Sequence, residues 1–116
     1  MIRVELALEF KGEDVVLLAM DGAGATTFVT ALREAEQRGS SQLAHDGVTH
    51  QFVIQPGAAD IELGENRVVW RLDRAKAVEI VEELTAMSND DRPGHNYVDI
   101  SWPTNTLVRS RGEYVR

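Results

Sequence analysis

The chain has 116 residues and no cysteine, and its 12 Lys and Arg against 19 Asp and Glu leave a formal charge of −7. That length fits one domain spanning residues 1–116, and the missing cysteines exclude a disulfide framework, a thiolate nucleophile and a Cys-ligated zinc. The acidity argues against nucleic acid or an anionic membrane as a partner held by bulk charge, and favours a neutral or basic one.

Charge is spread evenly: residues 1 to 58 carry four basic and eight acidic side chains, and residues 59 to 116 carry eight and eleven. Charges at Arg3 and Glu5 interrupt any leader-like apolar run, and the longest apolar stretch, Val15 to Met20, falls far short of the roughly 20 residues that span a bilayer. The expectation is a soluble cytoplasmic protein.

Ile2, Val4, Leu6, Leu8 and Phe10 alternate with Arg3, Glu5, Ala7, Glu9 and Lys11, the period of a strand with one face in the core. Lys11-Gly12-Glu13-Asp14 turns the chain into a second, more fully buried strand at Val15 to Met20, predicting a hairpin. Asp21 is placed to cap a helix in which Ala25, Phe28, Ala31, Leu32 and Ala35 form an apolar stripe, with Gly39 as its stop. Ser40 to Gly47 reads as a polar connection, Val48 to Gln55 as a strand, and Pro56-Gly57 as a turn.

A short strand follows at Ala59 to Leu63, then the loop Gly64-Glu65-Asn66, then a strand in which Val68, Trp70 and Leu72 alternate with Arg67, Val69 and Arg71. Asp73 caps a second helix, where Ala77, Ile80, Val81, Leu84 and Met87 make one stripe and Glu79, Glu82 and Glu83 lie off it. Asn89 to Gly94 ends that helix. Val98, Ile100 and Trp102 then alternate with Tyr97, Asp99 and Ser101, Pro103-Thr104-Asn105 turns, and Thr106 to Arg109 is a last strand. The alternation places both tryptophans in the core.

The predicted order is ββαβββαββ. An α+β domain with a single antiparallel β-sheet and both helices on one face satisfies it, since alternating strands need only one covered face. The opposite face would be wet and charged, with Arg3, Glu5, Glu9, Arg67 and Arg71. The run Val15 to Ala23 can be set against Val68 to Ala75, and Gly47 and Pro56 are spaced as are Gly94 and Pro103. This is consistent with a tandem βαββ repeat, and equally with common parts arranged alike.

No constellation marks an enzyme, and neither a cofactor nor a metal is expected. Asp21-Gly22-Ala23-Gly24-Ala25-Thr26-Thr27 occupies the place of a phosphate loop, but it lacks the Lys-Ser/Thr ending and puts a carboxylate where phosphate would sit. His45, His50 and His95 show no ligand spacing and read as exposed or capping residues. Glu79, Glu82, Glu83, Asp90 and Asp91 lie on a polar helix face and its exit loop, not in a pocket that would keep a carboxyl protonated. Glu79 and Glu83 are like charges one turn apart, an arrangement that costs the isolated helix stability and suits a surface meeting Arg or Lys.

The closing segment carries a resemblance. Gly94-His95-Asn96-Tyr97-Val98-Asp99-Ile100, a spacer, and then Thr106-Leu107-Val108-Arg109-Ser110-Arg111-Gly112-Glu113-Tyr114 resembles the C-terminus of small bacterial immunity proteins of polymorphic-toxin systems. There a Gly-His-x-Tyr/His-x-Asp/Glu stretch precedes a Leu/Val-Val-x-Ser strand and a Glu-Tyr ending. Gly112 stands where that pattern has an acidic residue. The resemblance implies stoichiometric inhibition of a toxin, with no catalytic residues and with Tyr97 and Asp99 as candidate contacts beside the acidic cluster. The alternatives are a small enzyme using His50 or His95 in a pocket between sheet and helices, and a ligand-sensing or oligomerisation module.

Overall fold

The computed structural model describes residues 1–88 and 94–111, with side chains for 1–86 and 97–110. In chain order the elements are β1 (Ile2–Phe10), β2 (Glu13–Met20), α1 (Gly22–Arg38), β3 (Ser40–His45), β4 (Val48–Ile54), β5 (Ala59–Leu63), β6 (Arg67–Leu72), α2 (Arg74–Ser88), β7 (Gly94–Asp99) and β8 (Thr106–Arg111). The seven predicted strands and two helices occur in the predicted order, and β3 is added where the sequence reads as a polar connection. Its inward residues are Ser41, Leu43 and His45, too polar to announce a strand.

The single antiparallel sheet is overturned. Among the described residues there are two four-stranded sheets, β1-β2-β8-β7 and β3-β4-β6-β5. Each is mixed: its outer pairs are antiparallel, and its central pair, β2 with β8 or β4 with β6, is parallel. Alternation fixes which side chains share a face but carries no information on strand direction, so the one-sheet expectation failed at that step.

The two halves of the chain correspond. Each is a hairpin, a helix and a second hairpin, and each gives one hairpin to each sheet: β1β2 and β7β8 to the first, β3β4 and β5β6 to the second. The repeat unit is therefore ββαββ, not βαββ. Val16, Leu18 and Met20 before Asp21 match Val68, Trp70 and Leu72 before Asp73. The glycine-proline spacings do not correspond, because Gly47 precedes β4 while Gly94 begins β7.

Both helices begin as the sequence predicts. The Asp21 carboxylate accepts the Gly24 N–H at 2.7 Å, and the Asp73 carboxylate accepts the Lys76 N–H at 2.7 Å. Asp21 also meets the Met1 ammonium at 2.7 Å, and that ammonium, with the Gly24 N–H, holds its pKa below the usual carboxylate value. Gly39 closes α1 in the left-handed region at φ 94°, its N–H donating to the Ala35 carbonyl at 2.7 Å. All five predicted stripe residues of α1 are buried, as are Ala77, Ile80, Val81 and Leu84 of α2. Met87 lies outside the described side chains.

One core joins the elements: the inner faces of both sheets and the facing stripes of both helices form a single buried cluster. At its centre Phe28 sets its ring edge against Phe52 and Trp70, at centroid distances of 5.1 and 5.2 Å, and Phe52 stacks on Trp70 at 5.9 Å. Trp102 departs from expectation and is 62% exposed. Its carbonyl accepts the Ile61 N–H and the Ser101 N–H donates to the Ala59 carbonyl, so the backbone of 101–102 docks on β5 and takes the indole off the β7 alternation.

The β1 pattern breaks as well. The pairing with β2 shifts between Ala7 and Phe10, with Glu9 at φ 56° and Lys11 at φ 48°, a bulge that moves Phe10 to the opposite face. There it packs with Ala7, Val15, Leu17 and Val108, while Leu6 and Leu8 are exposed. The predicted wet face is divided between the sheets. Arg3 and Glu5 lie on the first; Arg67 and Arg71 lie on the second, where Arg71 pairs with Asp60 at 3.0 Å and Glu62 at 2.8 Å.

Gly24 offers a test by sign. A Cβ there would sit 2.0 Å from the Met1 carbonyl oxygen, so Gly24→Ala should destabilise by about 1–3 kcal/mol, whereas an unobstructed helical Gly→Ala stabilises by about 1 kcal/mol. The urea midpoint of the variant decides between them.

Candidate functional site

The acidic helix face is less free than its sequence implies. The stripe that buries Ala77, Ile80, Val81 and Leu84 leaves Glu79 and Glu83 on its flank and Glu82 in solvent. Glu79 pairs with Lys76 at 3.0 Å, and Glu83 pairs with Arg109 of β8. The like-charged pair on one helix turn thus meets cations of the same chain. Asp90 and Asp91 lie outside the described residues. Tyr97 and Asp99 are both exposed on the outer face of β7, an edge strand, opposite Val108 and Thr106.

Arg109 is the residue that sequence reasoning missed. It is fully buried beside Leu18, at the position that Phe52 occupies in the other sheet. Burial pushes the guanidinium pKa down, and the carboxylates of Glu83 and Glu79 push it back up. Among the described residues its Nε and Nη1 make no hydrogen bond, so compensation comes from the directly paired Glu83 carboxylate, with Glu79 adding to it. Leu107 and Arg109 share the inward face, and a charged residue there reads from sequence as the end of a strand.

A second buried polar group lies in the other sheet. His50, read from the sequence as exposed or capping, is 1% exposed. Trp70 donates its indole N–H to His50 Nδ1 at 3.3 Å, which places the imidazole proton on Nε2. That Nε2 is closed to solvent and has no partner among the described residues. Burial, and to a lesser degree the nearby His45, holds the His50 pKa below its ordinary value. His45 itself lies 3.3 Å from an Asp46 carboxylate oxygen.

His50 stands in the wall of a cavity of about 220 Å³ where β1 meets the loop end of the second sheet. Ile2, Val4, Val48 and Val68 give it an apolar lining, and Arg3, Asp46 and Glu65 stand around it. Two loop contacts shape this end: the Thr49 N–H donates to the Asn66 carbonyl at 2.9 Å, and the Gly64 N–H to the Arg67 carbonyl at 2.8 Å. The strand register makes Leu107 the counterpart of His50 in the repeat. An imidazole therefore occupies a place where the same architecture accepts leucine.

Compared with known proteins, the chain matches no family and no curated protein. Its fold is similar to part of a solved one. The crystal structure of Drosophila Suppressor of Fused aligns with a TM-score of 0.51 and 9% identity, over 84% of this chain and 24% of that one. The likeness is one of fold, and this chain corresponds to about a quarter of that protein's length.

The two buried groups respond differently to perturbation. Removing the Glu83 carboxylate strands Arg109, so Glu83→Ala should cost roughly 3 kcal/mol, the low end for breaking a buried pair because Glu83 is itself partly exposed. Exposed Glu82→Ala should change stability by less than about 0.5 kcal/mol; paired chemical denaturation curves compare the two.

For His50 the sign follows from its lowered pKa. The unfolded chain takes up a proton near pH 6.5, and the folded one resists until lower pH. The histidine's contribution is thus present above about pH 6.5 and lost as pH falls through the folded value. His50→Leu should flatten the decline in stability between about pH 7 and about pH 5, as read from urea midpoints across that range.

Proposed function

We propose that this chain is a non-catalytic binding protein of the immunity type, which docks on a cognate bacterial toxin in the cytoplasm and neutralises it. The observation that carries the reading is the pairing of Tyr97 and Asp99 on the exposed face of edge strand β7, inside the segment that resembles immunity proteins. An aromatic ring beside a carboxylate suits an interface: the ring supplies area at low entropic cost, and the carboxylate meets a basic partner. The edge position adds backbone groups that can pair with a strand of the partner. Glu82 and the chain's charge of −7 steer a basic toxin domain toward this protein, so association slows as salt is raised. A ligand-binding module is the second reading, favoured by the cavity walled by His50.

Co-expression with toxin candidates encoded beside this gene should restore growth and yield a one-to-one complex. Tyr97→Ala combined with Asp99→Ala should weaken that complex at least tenfold, about 1.4 kcal/mol or more, as measured by calorimetry. Absence of both rescue and complex with every neighbouring candidate overturns the reading.

A further inference from the structure

The two sheets differ on the side turned away from the helices. In the second sheet Gln51, Val53, Val69 and Arg71 are half-buried on that side and Arg67 is exposed, as befits a sheet face that meets water. The repeat sets Val108, Ser110, Leu17, Ala19 and Val15 of the first sheet at the same five places. There Val15, Ala19, Val108 and Ser110 are 0% exposed and Leu17 is 5% exposed. The Ser110 hydroxyl is closed to solvent with them.

Nothing among the described residues accounts for that closure. Both helices pack on the inner face, within the main core. Val15, Leu17 and Val108 form a separate cluster, joined by Ala7 and Phe10. The register puts Ala7 opposite Val15 and Phe10 opposite Glu13, at one end of the face, while the Leu17–Val108 and Ala19–Ser110 rows lie further along. Strand side chains stand roughly perpendicular to the sheet, so burying them to their tips takes a layer laid on top.

Residues 112–116, Gly112-Glu113-Tyr114-Val115-Arg116, follow β8, which ends at Arg111, one residue past Ser110. A segment reversing at Gly112, the residue type suited to a sharp return, meets the row of Ala19 and Ser110 first. The four residues after Gly112 extend roughly 13 Å at about 3.3 Å each, which matches the four residues of β2 from Ala19 back to Val15. Tyr114 and Val115 supply apolar side chains. Arg3, which is opposite Ala19 and shares that first row, offers a cation to Glu113. Residues 89–93, by contrast, are held between α2 on the inner side and the edge strand β7.

We propose that the outer face of the first sheet is the docking site of residues 112–116, which fold back over Ala19, Ser110, Leu17 and Val108. The Glu113-Tyr114 ending then serves as a cover for the sheet rather than a contact for a partner. Tyr97 and Asp99, at the margin of the covered area, are what it leaves open. The proposal stands or fails independently of toxin binding, because its test needs no partner.

Methyl NMR of the full chain reads the cover, with a soluble gadolinium chelate as the probe of solvent access. The Val15, Leu17 and Val108 methyls should be as protected as those of Leu18, which is fully buried in the main core. Nuclear Overhauser effects should join the Tyr114 ring or the Val115 methyls to Leu17 or Val108. Deleting residues 112–116 should raise relaxation at Leu17 and Val108 to the level of Val69, the half-buried counterpart of Leu17, and lower the urea midpoint. Tyr114→Ser with Val115→Ser should do the same to a smaller degree, and it keeps the test in place if the shortened chain fails to fold. Protection of Leu17 and Val108 unchanged by either alteration, or absence of the Overhauser effects, overturns the proposal. So does protection lost on diluting the full chain, since a second copy would then be the cover.

Discussion

Parallel pairing at the centre of each sheet is the constraint from which the rest of this fold follows. Two parallel strands cannot be joined by a tight turn, so β2 waits for β8 and β4 for β6, and each sheet needs a hairpin from each half of the chain. A half-chain could make its two hairpins and its helix, but each hairpin would leave an inner strand unpaired. The two halves therefore fold as one body around one core. The helices pack on each other within that core because each follows a central strand directly, β2 into α1 and β6 into α2.

How much of this was legible depended on whether a feature is local. The caps at Asp21 and Asp73, the stop at Gly39 and the helical stripes follow from spacing within one turn or two, and they appear as predicted. The β2 run from Val15 to Met20 is buried throughout, as a continuous apolar stretch in a central strand should be. Strand direction and sheet membership depend on residues many positions apart, and no local period encodes them. The order of elements was therefore readable while the division into two sheets was not.

The candidate sites divide along the same line. Tyr97 and Asp99 share an exposed face because alternation is local. The ties from Glu79 to Lys76 and from Glu83 to Arg109 differ in kind: the first spans three residues on one helix, and the second joins residues 26 apart. Helical spacing could have exposed the first, and only the fold shows the second. His50 was invisible for a similar reason, since its burial depends on Trp70 donating to it from another strand. In both sheets a polar side chain takes a place where the repeat holds a hydrophobic one, Arg109 against Phe52 and His50 against Leu107. Internal duplication thus marks functional candidates in a single sequence, by the positions at which the two copies disagree in polarity.

The bulge in β1 bears on how the chain behaves in a crowded solution. An edge strand of nine residues with Leu6 and Leu8 exposed is a template on which another strand could extend the hydrogen-bond ladder. Between Ala7 and Phe10 the register shifts and Glu9 and Lys11 adopt left-handed backbone angles, so a straight incoming strand loses its alignment within a few residues. On the other sheet, β5 is covered by the backbone of Ser101 and Trp102. Two of the four sheet borders among the described residues are thereby less open to propagation, one through the bulge at the end of β1 and the other through the chain's own backbone on β5.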